Sequence, residues 1–157
     1  MKLPMGITGF YNTNETKPPS LSLKEVKRSC YLAIHATGAT LLSFAKASYP
    51  KNYFTACVQM GQQQIYILIN EHYPFVAFTS SVGDSAISFV DCPLLTTPLS
   101  AYFTILSQEV LMSPVQINEG VLTTRFKLDV ELSEVEYDQL LFSCPKKLGE
   151  IIFNEWD

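Results

Sequence analysis

From Asn52 to Asn70 the chain carries no charged residue, and inside that stretch Ile65-Tyr-Ile-Leu-Ile69 is apolar at every position. A strand with one wet face alternates apolar and polar residues, because successive side chains point to opposite faces. A strand without alternation has to be covered on both. The chain is therefore expected to build a sheet with this strand near its centre, helices on one face and other structure on the second.

The flanking segments have strand composition. Leu41 to Tyr49, Tyr53 to Met60, Gln64 to Asn70, Phe75 to Thr79 and Ala86 to Val90 are rich in β-branched and aromatic residues. The breaks between them carry turn residues: Pro50-Lys-Asn52, Gly61, Asn70-Glu-His-Tyr-Pro74 and Ser80-Ser-Val-Gly-Asp84. Links this short join antiparallel neighbours, since a parallel crossover needs about a dozen residues or more. The result is an antiparallel meander of five or more strands.

Helices are expected around it. Ser22-Leu-Lys-Glu25 has the spacing of a capping box, and Val26, Cys30 and Ala33 or Ile34 recur at helical period, so a helix is expected from Leu23 to Ile34, ended by Gly38. Thr97-Pro98 suits the start of a second helix running to Leu106. Val110 to Ile117 and Val121 to Leu132 flank Asn118-Glu-Gly120 as a hairpin. Residues 133–144 fit either state: alternation continues from Leu128 with a slip at Ser133, yet Ser133-x-x-Glu136 is a capping box, and Tyr137, Leu140, Leu141 and Cys144 keep helical spacing. Strand to Leu132 with helix beyond it is the preferred reading. Pro145 then opens a short last helix to Trp156, in which Gly149 costs about 1 kcal/mol relative to alanine. The fold expected is α+β, a single domain over residues 1–157. Residues 1–20 form an extended segment and loop, and three or four helices pack mainly on one face of the sheet.

Apolar residues make up 47% of the chain and charged residues 17%, the reverse of a disordered composition. Cys30, Cys57, Cys92 and Cys144 are widely spaced and form no CxxC, as expected of reduced thiols. No targeting segment and no membrane-length apolar run is read, so a cytoplasmic protein without membrane attachment is expected.

Charge is uneven. Residues 119–157 hold nine of the fifteen acids and four of the eleven Lys and Arg. An acidic quarter argues against nucleic acid, which recruits clustered Lys and Arg, and for a basic protein partner. The expected partner-binding residues are Glu131, Glu134, Glu136, Asp138, Glu155, Trp156 and Asp157. Trp156 is the sole tryptophan; flanked by acids, it has the character of an interface anchor. Behind it, Leu148, Ile151 and Ile152 can bury one stripe and hold the segment down.

Catalytic patterns are weak. Gly83-Asp84-Ser85 follows an apolar strand, as in GDS-type hydrolases, but the base such a serine needs comes from a later histidine. Both histidines, His35 and His72, precede Ser85, and the tripeptide reads as a turn. His72 beside Glu71 is expected in an exposed turn, and His35 at a helix end. Neither histidine nor cysteine has metal-ligand spacing, and no catalytic residue, cofactor or metal is assigned.

In size, acidity and want of catalytic residues the chain resembles bacterial immunity proteins, which neutralise a cognate toxin. That resemblance implies a non-enzymatic inhibitory protein with a basic partner. The competing expectation is a small-ligand domain or minor hydrolase on the uncharged sheet, with Tyr53, Gln59, Gln64, Tyr66, His72 and Ser85 as polar contacts. Homodimerisation through an exposed strand is a further expectation.

Overall fold

The computed structural model describes residues 1–82 and 87–157. The first part of the chain forms β1 (Lys2–Leu3), α1 (Leu23–His35), β2 (Thr40–Ala45), β3 (Tyr53–Met60), β4 (Gln63–Asn70), β5 (Phe75–Thr79) and β6 (Phe89–Val90). The rest forms α2 (Pro93–Leu99), β7 (Thr104–Ile105), α3 (Gln108–Leu111), β8 (Val115–Asn118), β9 (Val121–Thr124), β10 (Asp129–Val130), α4 (Glu134–Ser143) and α5 (Gly149–Ile152).

The main sheet follows the meander β2-β3-β4-β5-β6, antiparallel throughout, with β7 added parallel to the other end of β5. β4 lies at its centre, in register with β3 through Ile67 opposite Ala56 and with β5 through Leu68 opposite Ala77. The uncharged stretch thus meets the double burial its pattern demands: Ile67, Leu68 and Ile69 are wholly buried. Ile67 and Ile69 point to one face, where they join Phe54, Val58 and Phe78 of the sheet, Val26, Cys30 and Ile34 of α1, and Leu95 and Leu99 of α2. Leu68 points to the other, with Tyr53, Leu3, Ile7, Leu111 of α3, Leu122 of β9, Leu140 of α4 and Ile151 of α5.

Helices therefore cover both faces of the sheet, two on one and three on the other, rather than mainly one face. The cause is occupancy. α1 and α2 fill the first face, so the apolar residues of the C-terminal third can bury only against the second. The mixed α and β content and the mostly antiparallel sheet match expectation, while the helices number five among the described residues.

Local boundaries moved for identifiable reasons. α1 starts where its cap places it, with the Ser22 side chain accepting the Glu25 backbone N–H at 3.4 Å. α2 starts at Pro93, five residues before the expected proline, because Pro93 takes the first-turn position. Thr104 and Ile105, expected in a helix, extend the sheet instead. The β8–β9 hairpin turns at Glu119 (φ 52°) and Gly120 (φ 75°), the two positive φ values such a two-residue turn requires. Strand pairing in this arm ends at Thr124, and Asp129–Val130 pairs separately with β1, in parallel. Residues 133–144 resolve as helix: the Ser133–Glu136 capping box forms in both directions, and Cys144 closes α4 at φ 51°. The last helix is only Gly149–Ile152, with Phe153 extended after it. Among the described residues no helix is long and apolar enough to cross a membrane.

Candidate functional site

α4 is positioned by a carboxylate that the sequence pattern assigned to the surface. Glu136 is wholly buried. Its Oε1 accepts the Gly6 N–H at 2.7 Å and the Ser133 N–H at 3.1 Å, while Oε2 accepts the Thr8 N–H at 3.1 Å and the Thr8 hydroxyl. The Ser133 hydroxyl adds a contact to Oε1 at 3.3 Å. The N-terminal segment wraps this carboxylate by a turn at Gly6, whose φ of 91° and contact with Pro18 leave no room for a side chain. Glu136 is thus removed from the expected partner-binding set. One spacing, Ser-x-x-Glu, served both a helix cap and a long-range anchor.

The other acids divide. Glu131 pairs with Lys2 at 3.2 Å, and Glu155 with Lys51 at 3.8 Å, so basic residues of the first part of the chain answer both. Glu155 also accepts the Tyr53 hydroxyl at 2.8 Å. Burial raises the Tyr53 pKa above its ordinary value, and the bond to Glu155 and its charge add to the rise. Asp157 is exposed, and Trp156 is half-buried with its ring 6.3 Å from that of Phe10. Glu134 and Asp138 are exposed on α4, and neither has an ion-pair partner within 4.0 Å among the described residues.

The exposed face of α4 does not end with those two acids. At helical spacing it continues to Leu141 and Phe142, which remain 61% and 81% exposed. Leu140, on the opposite side, is wholly buried. The Leu140-Leu141-Phe142 run could have revealed this from sequence: at 3.6 residues per turn, three consecutive apolar side chains cannot all face one core.

Against the second face of the sheet the C-terminal segment leaves a cleft of about 840 Å³. Tyr53 and Leu68 belong to its sheet side, Phe153, Glu155 and Trp156 to another wall, and Cys144, just past α4, to its rim. The C-terminal segment is held there by three buried asparagines that sequence reasoning passed over. Asn52 and Asn70 each donate to both Ile7 O and Ile152 O at 2.8–3.0 Å. Asn154 donates its backbone N–H to Asn52 Oδ1 at 2.8 Å and its side-chain amide to Thr8 O at 3.2 Å. Sheet end, N-terminal turn and C-terminal tail are tied into one unit, and no buried side-chain nitrogen or oxygen among the described residues lacks a partner.

The polar set of the small-ligand reading is dispersed. His72 is buried rather than exposed, its Nδ1 donating to Pro19 O at 2.7 Å and its Nε2 lying 3.6 Å from Glu71. Gln59 and Gln64 face each other at the far end of the β3–β4 pair from Tyr53, and Tyr66 pairs with Cys57. Gly83, Asp84 and Ser85 lie outside the described residues. His35 is exposed and stacked on Tyr31 at 5.8 Å. All four cysteines are free; burial pushes the Cys30 thiol up to about 12, where it is inert at neutral pH, and only Cys144 is exposed. Among the described residues no group of three or more His, Cys, Asp or Glu is placed to hold a metal ion. Compared with known proteins, the chain matches no family model, no curated sequence and no solved structure.

Proposed function

We propose that this protein is a non-enzymatic binding protein of inhibitory, immunity-like type, which engages a basic protein partner through the exposed face of α4. One observation carries the reading: two carboxylates without ion pairs among the described residues, Glu134 and Asp138, run directly into an exposed Leu141 and a Phe142 that is 81% exposed. Burying one large apolar side chain is worth about 1.5–3 kcal/mol, and the fold leaves that gain unrealised at Phe142. Acids beside such an anchor raise the encounter rate with a basic surface and disfavour acidic ones. The interface is narrower than the acidic quarter as a whole, because Glu136 is buried and Glu131 is paired with Lys2.

The test immobilises wild-type protein, Phe142→Ser and Glu134→Lys/Asp138→Lys beside one another for capture from the host. A basic protein retained by wild type and released by both variants, with urea midpoints unchanged, supports the interface. Equal retention by all three refutes it.

A further inference from the structure

Lys51 lines the C-terminal cleft. Its Nζ lies 5.9 Å from the Tyr53 ring centroid and 3.8 Å from Glu155 Oε1. The Tyr53 hydroxyl donates to that same oxygen at 2.8 Å, which restrains the carboxylate beside the ring. An ammonium group is therefore held between an aromatic ring and a carboxylate, two groups that both present negative potential to a cation. Trp156, whose ring lies 6.3 Å from that of Phe10, lines the same cleft. Glu150 is engaged otherwise, its Oε2 accepting the Lys146 and Lys147 N–H groups at 2.7 and 3.2 Å. Lys146 also borders the cleft, so selectivity resides in the corner of Tyr53 and Glu155 rather than in a surplus of negative charge. The Lys51 and Glu155 side chains are 47% and 53% exposed, so the internal pair is weakly held and open to exchange.

We infer that this corner is a receptor for a basic side chain of the protein partner, and that Lys51 is its internal stand-in, displaced when the partner's cation enters. Arginine suits it better than lysine, since a planar guanidinium stacks on an aromatic ring, here that of Tyr53, and forks onto a carboxylate at once. The inference rests on the protein-binding reading of α4 for the source of the cation. The two surfaces adjoin, because Ser143 and Cys144 at the end of α4 border the cleft.

The sole tryptophan lines the same cleft and follows Glu155 in the chain, so binding in the corner is followed by its emission. The full chain is titrated with acetyl-Gly-Arg-Gly-amide, and with acetyl-Gly-Glu-Gly-amide as control, while Trp156 emission is followed. A saturable change with the arginine peptide alone is expected. Affinity falls about fivefold in Glu155→Gln, which keeps an acceptor for the Tyr53 hydroxyl but loses the charge. It rises about threefold in Lys51→Met, where the internal competitor is gone. An equal response to the glutamate peptide, no saturable response in either wild type or Lys51→Met, or undiminished affinity in Glu155→Gln overturns the inference. Glu134→Lys/Asp138→Lys leaves the peptide titration unchanged, so failure of the α4 interface is read separately.

Discussion

Glu134 and Glu136 are two residues apart on one helix and have opposite fates. Glu134 faces water; Glu136 gathers donors from Gly6, Thr8 and Ser133 in the interior. Glu136→Ala strands those donors without water and is expected to cost about 3 kcal/mol or more. Glu134→Ala is expected to stay within about 0.5 kcal/mol of wild type. Urea midpoints of the two variants decide this, and similar values would contradict the placement of Glu136. Alkaline pH probes the interior at the same scale. Burial pushes the Cys30 thiol from its ordinary 9.0 up to about 12, so above pH 9.0 the unfolded chain has released a proton that the folded chain still holds. Stability from this group is complete below pH 9.0 and declines as pH rises toward about 12. In Cys30→Ala the decline across that window is expected to be shallower, as read by urea melts at stepped pH; an unchanged slope would contradict it.

At the scale of elements, helix propensity alone misreads Gly149. Alanine there is expected to stabilise an isolated helix, yet a Cβ at this position would strike the Phe89 ring and lie 3.0 Å from Leu111 O. Gly149→Ala is therefore expected to lose about 1–3 kcal/mol by overpacking, and a raised melting temperature would contradict the close approach. Elements with local signals were legible: α1 from its cap, the β8–β9 hairpin from Asn118-Glu-Gly120, and β4 from its unbroken apolar run. Those with non-local causes were not. Thr104–Ile105 becomes a strand only because β5 offers a free edge, and Asp129–Val130 only because β1 reaches it. The candidate site was half legible. Glu134 and Asp138 stand where the charge pattern put them, but pairing of Glu131 with Lys2 and of Glu155 with Lys51 joins chain segments that spacing cannot relate.

The whole molecule is a sheet with two unlike coverings. One face carries α1 and α2; the other carries the N-terminal turn and C-terminal helices, fastened by Asn52, Asn70, Asn154 and Glu136. This second covering needs its buried polar groups to stay in register, and it presents the α4 face beside a cleft walled by the C-terminal segment and, on the sheet side, by Tyr53 and Leu68. The most direct test is the association rate constant between the protein and the basic partner captured by it, measured at low and at raised salt for wild type and for Glu134→Lys/Asp138→Lys. The wild-type rate is expected to fall steeply with salt, and the variant to associate about tenfold more slowly at low salt while unfolding at the same urea concentration. A variant rate equal to wild type at both salt concentrations would contradict recognition through α4.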